Sequence, residues 1–402
     1  MNSGFLHSLG NPQVAIAKLA SRGYSEPSSE AEIAEAVART AQALGWTDKQ
    51  AGPFGRIIPR GARVVVKPNL VMHENQGPWG IEPLITHPSL IRCAVEAVLR
   101  SAASEVLVGD APIQGCHLDE LLTATGLDRW AAQLMRVEKR FRGLRDFRRT
   151  TCEFVNGVRV ASEELVDKDR FVLFDLSSES LLEPVTDEDH PFRVTCYDPR
   201  LLAKTHAPRR HQYLVTKDVI DADVVINLPK LKTHRKAGVT CALKNLIGIN
   251  GNKEYLPHHR IGGSETGGDC YPGDSRIKRA LEYTLDRQNM ASSFAAARVW
   301  RQVATQLDRV SSVGGDRLGV EGSWSGNDTV WRTGLDLNRI LLYGRSDGTL
   351  ADMPQRQVIH LVDAVIAGQG DGPLRPEPLA LGLIFSGTNA AAVDWVGAQM
   401  LG

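Results

Sequence analysis

The sequence predicts an α/β protein, with a layered, mostly parallel sheet, helices on both faces and inserted segments. Three observations predict it. Short β-branched runs alternate with stretches of helical spacing along the chain. Several of the runs end at proline or glycine, where a strand gives way to a loop. Hydrophobic residues make up 42% of the 402, enough for a large core in one large domain or two ordinary ones.

In chain order, residues 29–44 (SEAEIAEAVARTAQAL) place Ile33, Val37, Ala41 and Leu44 along one side of a helix. Residues 63–67 (RVVVK) form a strand that Pro68-Asn69 closes. Residues 88–101 form a helix and 105–109 (EVLVG) the next strand. The segment 63–110 is therefore a β-α-β unit with parallel strands. Residues 130–152, rich in Arg and Lys, read as a solvated helix face, and 154–175 as hairpin material. Residues 221–228 (DADVVINL) are the clearest buried strand. The Gly-, Asn-, Pro- and His-rich stretch 248–273 reads as a long loop, a common location for function. Residues 277–310 are helical in pattern, 358–366 and 380–385 are two more strands, and 390–401 begin a helix inside which the sequence stops. Residues 1–60 are expected as an N-terminal helical segment. The α/β domain then occupies 61–402, with insertions at about 131–215 and 263–345.

Lys+Arg and Asp+Glu both number 47, so the formal net charge is zero and general nucleic-acid binding is not expected. None of the six cysteines forms a CxxC pair, which argues against a zinc ribbon, a thioredoxin-like motif or an iron–sulfur cluster. The N-terminus lacks a signal-peptide pattern, and no apolar run reaches the roughly 18 residues of a spanning helix. A cytoplasmic protein without membrane segments is expected, and a homo-oligomer is compatible with the sequence.

The chemistry concentrates after the strand 224–228. If the chain stays extended past Pro229, then Lys230, Lys232 and His234 occupy alternate positions and share one face. Such groups repel one another, so an anionic partner is the natural compensation. Strand C-termini of α/β sheets are also where ligands bind. Next comes TCALKNLIG at 240–248, where Thr240 is expected to cap a short helix and Gly248 to end it. It sets Lys244 and Asn245 among apolar residues, where desolvation lowers a lysine pKa. Lys253, His258 and His259 follow. Lys67 and Asn69 end the first strand of the β-α-β unit, and Asp110 ends the second. The plain alternatives are solvated loop lysines, a histidine bonded to a carbonyl, and an Asx-turn at Asp110. The stretch 324–338 (WSGNDTVWRTGLDLN) is a candidate lid or wall, and GQGDGP at 368–373 is a turn first.

The stretches VVVKPNLV (64–71), VGDAP (108–112), DADVVINLPKLKTHRKAGVTCALKNLIGINGNK (221–253), GNDTVWRTGLDLN, VDAVIAGQGDGP and AAVDW resemble the bacterial and archaeal family catalogued as domain of unknown function 362. Some relatives carry a four-cysteine ferredoxin-like module. Its absence here implies no iron–sulfur cluster. The pattern is also distantly similar to the substrate- and nickel-pincer-binding domain of lactate racemase-like proteins. That resemblance implies His234 as proton or hydride acceptor, Lys244 as the lysine holding an organic cofactor, and His258 or His259 as a metal ligand. Two departures limit it. The turn is Cys241-Ala242-Leu243 rather than glycine-rich, and Gly109-Asp110 stands where a histidine is usual. What carries over is a metal or anion site.

The expected function is that of an enzyme, isomerase-like or oxidoreductase-like, acting on a small carboxylate or phosphate. In it His234 is the general acid/base, and Lys244 orients substrate or stabilises negative charge. Lys67, Asn69, Lys230, Lys232, Asn245 and Lys253 bind the substrate. Asp110, His258 and His259 are candidate ligands of a divalent metal ion. The alternatives are a non-catalytic metal or cofactor carrier in a biosynthetic pathway, and a scaffold whose lysines all pair with carboxylates.

Overall fold

The computed structural model describes residues 10–24, 29–312 and 319–402. The first residues, where the signal-peptide pattern is missing, lie outside them. Strands in chain order are β1 (Val14–Lys18), β2 (Arg63–Pro68), β3 (Glu105–Asp110), β4 (Phe141–Asp146), β5 (Thr150–Val155), β6 (Val158–Glu164), β7 (Phe171–Asp175) and β8 (Phe192–Arg193). There follow β9 (His206–Ala207), β10 (Arg210–Thr216), β11 (Val224–Leu228), β12 (Lys230–His234), β13 (Gly238–Thr240), β14 (His259–Arg260), β15 (Gln357–Asp371) and β16 (Arg375–Gly387). The central sheet runs β1-β16-β15-β11-β2-β3-β4, with β12 and β13 attached beside β15. β15, β11, β2, β3 and β4 are mutually parallel, and β16 and β1 close one edge antiparallel.

Both faces of the sheet are covered, as strands apolar at every position require. In β2, Val64 and Val66 face a cluster built with the helices Ser29–Ala43 and Pro88–Arg100, while Val65 faces a second one containing Val330, Leu337 and Ile340. Each such valine, almost fully buried, contributes at most roughly 1.5–3 kcal/mol. The layered α/β architecture is therefore as the sequence predicts.

Several elements differ from expectation. Residues 130–152 are not one solvated helix. The helix Leu127–Val137 ends at Glu138, and Phe141–Asp146 becomes the sheet edge. The arginines that suggested a solvated face are ion-paired there: Arg142 with Glu105, Arg145 with Asp218 and Arg148 with Asp146. β5 and β6 form a hairpin, whereas β7 pairs with β10 instead. Residues 277–310 split into the helices Arg276–Met290 and Phe294–Ser312, because the Ser293 hydroxyl caps the second at the Ala296 N–H. β15 and β16 outrun the expected strands and form one long hairpin; Gly368–Asp371 of GQGDGP are still paired in the ladder, and only Gly372-Pro373 lie in its turn. β1 was not expected at all.

Candidate functional site

The site lies at the C-terminal ends of β2, β3 and β11, where β12 continues the chain beyond the sheet. β11 is buried throughout, yet Asn227 sits inside it. Its amide donates to the Ala242 carbonyl at 2.8 Å and lies 3.0 Å from His360 Nδ1, and its Oδ1 accepts from Asn245 Nδ2 at 2.7 Å. Asn245 Oδ1 in turn accepts from Lys67 Nζ at 3.2 Å. Lys67 is ion-paired with Asp110 at 2.6 Å, both groups almost inaccessible to water. Burial pushes the lysine down and the carboxyl up, while their mutual attraction resists both shifts. Asp110 also accepts from the Leu70 and Ala111 N–H groups, at 2.7 and 2.9 Å. Gly248 makes this packing possible, since a Cβ there would lie 2.2 Å from Asp110 Oδ1. Lys67, Asn227, Asn245 and Asp110 thus satisfy one another. They form a polar core that ties the segment 242–252 to the strand ends.

β12 is extended, as the spacing predicts, and Leu231 between the lysines enters an apolar cluster. Lys230 is taken up by Asp363 at 2.7 Å, in a buried group that includes the Tyr24 hydroxyl and the His87 N–H. Lys232 is as deeply buried, and among the described residues its ammonium donates only to the Leu84 carbonyl, at 2.5 Å. Burial and the neighbouring Lys230 and Lys244 charges hold its ammonium well below the ordinary lysine value. His234 Nδ1 accepts from the Lys236 and Ala237 N–H groups at 3.1 and 3.2 Å, so its neutral ring carries the proton on Nε2. Burial and the surrounding cations, Lys244 first, keep that ring neutral.

Lys244 rides on the short helix Ala242–Asn245. Thr240 does not cap it, because Thr240 closes β13 and Cys241 takes the cap position without a side-chain bond. The Leu243 N–H is instead received by both Asp394 oxygens at 3.3 Å, from the helix Ala390–Leu401. Asn338, within the predicted lid, donates to the Leu243 carbonyl at 3.0 Å from the helix Val330–Tyr343. That stretch is therefore a supporting wall. The Lys244 ammonium is half-buried and has no hydrogen bond or ion pair with any described residue. Burial, then Lys236 and Lys67, lower its pKa to about 7. His258 is within electrostatic range of Lys244 and Lys236. Its Nδ1 lies 2.7 Å from the Leu256 carbonyl and so carries the proton, leaving Nε2 a lone pair.

The structure thus brings Lys232, His234, Lys244 and His258 together, with Lys253 at the margin. It turns Lys67 and Lys230 into ion pairs, and uses Asn245 as a brace. Asn69 follows β2, its N–H bonded to Thr86 Oγ1 at 2.8 Å and its Oδ1 buried without a partner among the described residues. The residues named as metal ligands do not meet. Among the described residues no three His, Cys, Asp or Glu side chains gather for a metal ion. Asp110 is committed to Lys67 and two N–H groups, and His259 lines a neighbouring cavity on the far side of Lys236. This donor set does not fit a metal-bound cofactor held by the three. Sequence reasoning passed over Asn227, Lys236, Asn338 as a brace, and Asp394. The usable signals were an asparagine inside VVINL and an acid inside AAAVDW.

A layered, mostly parallel α/β sheet whose strand ends carry buried lysines and histidines defines the fold class. Within it, the chain belongs to the family described as Domain of unknown function (DUF362), whose model matches residues 64–172 and 188–399. It is 26% identical over 214 residues to a thylakoid-associated protein of Synechocystis sp., a match covering 53% of this chain and 47% of that one. The chain thus spans about half the length of that curated relative. Two solved structures are distantly similar. A Thermotoga maritima protein is 11% identical at a TM-score of 0.33, over 92% of this chain and 58% of that one. The lactate racemase apoprotein of Thermoanaerobacterium thermosaccharolyticum is 10% identical at 0.34, over 96% and 62%. Likenesses this distant carry nothing about chemistry. No described helix is long and apolar enough to cross a membrane.

Proposed function

We propose that this protein is a cytoplasmic enzyme that binds a small carboxylate or phosphate on Lys232 and Lys244 and moves a proton on it. One observation carries the reading: the Lys244 ammonium has no hydrogen bond or ion pair with any described residue, and the charges that act on it most are the cations Lys236 and Lys67. An anion entering there replaces repulsion with charge-assisted hydrogen bonds. The hydrogen bonding suggests an exchange of the roles expected from sequence. His234 offers an N–H from Nε2 and suits stabilisation of developing negative charge. Lys244, with a pKa of about 7, suits proton transfer near neutrality.

The test is calorimetric titration with inorganic phosphate and with acetate at neutral pH. Binding by the wild type, weakened about ten-fold or more in Lys244→Met and in Lys232→Met, is the expected result. No binding of either anion sinks the reading. Isotope exchange from deuterated water into a bound carboxylate, lost in Lys244→Met, would separate the enzyme from a non-catalytic carrier.

A further inference from the structure

A cavity of about 610 Å³ adjoins the cluster, between the segment 193–197 and the helices Arg276–Met290 and Phe294–Ser312. Neither Lys232 nor Lys244 lines it, and the reading above leaves it without a role. Two stretches of chain connect it to the cluster. His234 belongs to the cluster and the next residue, Arg235, lines the cavity. His258 belongs to the cluster and the next residue, His259, lines the cavity. Lys236 spans the boundary. Its Nζ donates to Thr195 Oγ1 in the cavity wall at 3.1 Å. Lys236 also lies within electrostatic range of Lys244, and of Glu321 in the wall.

The wall differs in chemistry from the cluster. Its four arginines (Arg193, Arg235, Arg301, Arg375) face four carboxylates (Glu282, Asp286, Asp308, Glu321), so it carries no net charge. Arg193 and Asp286 are paired at 2.9 Å, and Arg235 is paired with Asp371 at the end of β15. Two buried wall residues each keep a polar atom without a hydrogen-bond partner among the described residues, His259 at Nδ1 and Gln288 at Oε1. Such atoms are costly unless something bonds to them, and hydroxyl groups suit both. The volume fits a small metabolite. On the cluster side, Lys232, Lys236 and Lys244 form no ion pair with any described residue, and Glu321 acts on Lys236 only at longer range. A dianion balances them better than a monoanion does.

We propose that the cavity holds the uncharged, hydroxylated body of a phosphomonoester whose phosphate rests on Lys232 and Lys244. This rests on the anion-site reading and adds the substrate class to it. The test compares inorganic phosphate, glucose 6-phosphate and glucose by calorimetric titration of the full chain. It is repeated in Thr305→Trp, which fills the cavity from a half-buried helical position, and in Ser323→Trp, which fills it from another wall residue. Glucose 6-phosphate is expected to bind at least about ten-fold more tightly than phosphate in the wild type. That advantage is expected to vanish in whichever filled variants keep the wild-type circular dichroism, while phosphate affinity stays within about two-fold. Equal affinities for the two ligands in the wild type, or an advantage that survives the filling, overturn the cavity proposal and leave the anion site standing. Absence of binding by both phosphate and glucose 6-phosphate overturns the anion site, and the cavity proposal with it.

Discussion

At the scale of single residues, Lys244 gives up stability for a chemical poise. Its folded pKa of about 7 lies below the ordinary 10.5. A depressed value means that its stabilising contribution is full above 10.5 and is lost as pH falls through about 7. Each pH unit of that interval costs about 1.4 kcal/mol. Lys244→Met is therefore expected to melt above the wild type at neutral pH, with the gap closing toward the alkaline end. Scanning calorimetry across that range checks it, and parallel curves would show that the ammonium is fully hydrated. Phosphate affinity should also weaken as pH rises through about 7, because the neutral amine no longer attracts the anion. The Lys67–Asp110 pair behaves differently. Asp110→Asn strands a buried ammonium and is expected to cost about 3–5 kcal/mol in chemical denaturation. A joint Lys67→Met, Asp110→Leu replacement should recover much of that loss.

At the scale of elements, the short helix bearing Lys244 cannot hold itself in place. Four residues are too few for an isolated helix, so its position is set by bonds from elsewhere. Asp394 receives its first free N–H group, and Asn338 holds the Leu243 carbonyl. Asp394→Ala should cost about 0.5–2 kcal/mol and weaken phosphate binding, although Asp394 is not proposed to touch the ligand. Unchanged affinity in that variant would show that the helix is positioned without it. Gly248→Ala tests the other end. Its new methyl would intrude on the Lys67–Asp110 pair, and a loss of about 1–3 kcal/mol or more is expected from urea unfolding. The helical spacing and turn residues around 240–248 were legible in the sequence. The cap was not, because it comes from a residue about 150 positions away.

At the scale of the whole molecule, β1 closes the sheet on β16, and residues just beyond it feed the buried Lys230–Asp363 group. Five residues pairing with a remote strand leave little local signal, and β1 has partly exposed positions such as Ile16. A chain lacking residues 1–24 is expected to expose the β16 edge and associate in a concentration-dependent way on size-exclusion chromatography. A monomer with the wild-type melting temperature would contradict that. The lysines of β12 show the same limit. Alternation placed them on one face, yet nothing local distinguishes Lys230 from Lys232. Asp363 is ion-paired with the first, whereas the second bonds to a backbone carbonyl and has no ion pair with any described residue.

The sequence by itself determined the α/β class, the parallel strands, the family and the region where the charges gather. Those depend on hydrophobic period, chain breakers and short motifs, all of which act over a few neighbouring residues. Tertiary structure decided which charged groups are free. Whether a lysine is neutralised depends on the carboxylates that the fold sets within about 4 Å of it, and those come from distant parts of the chain.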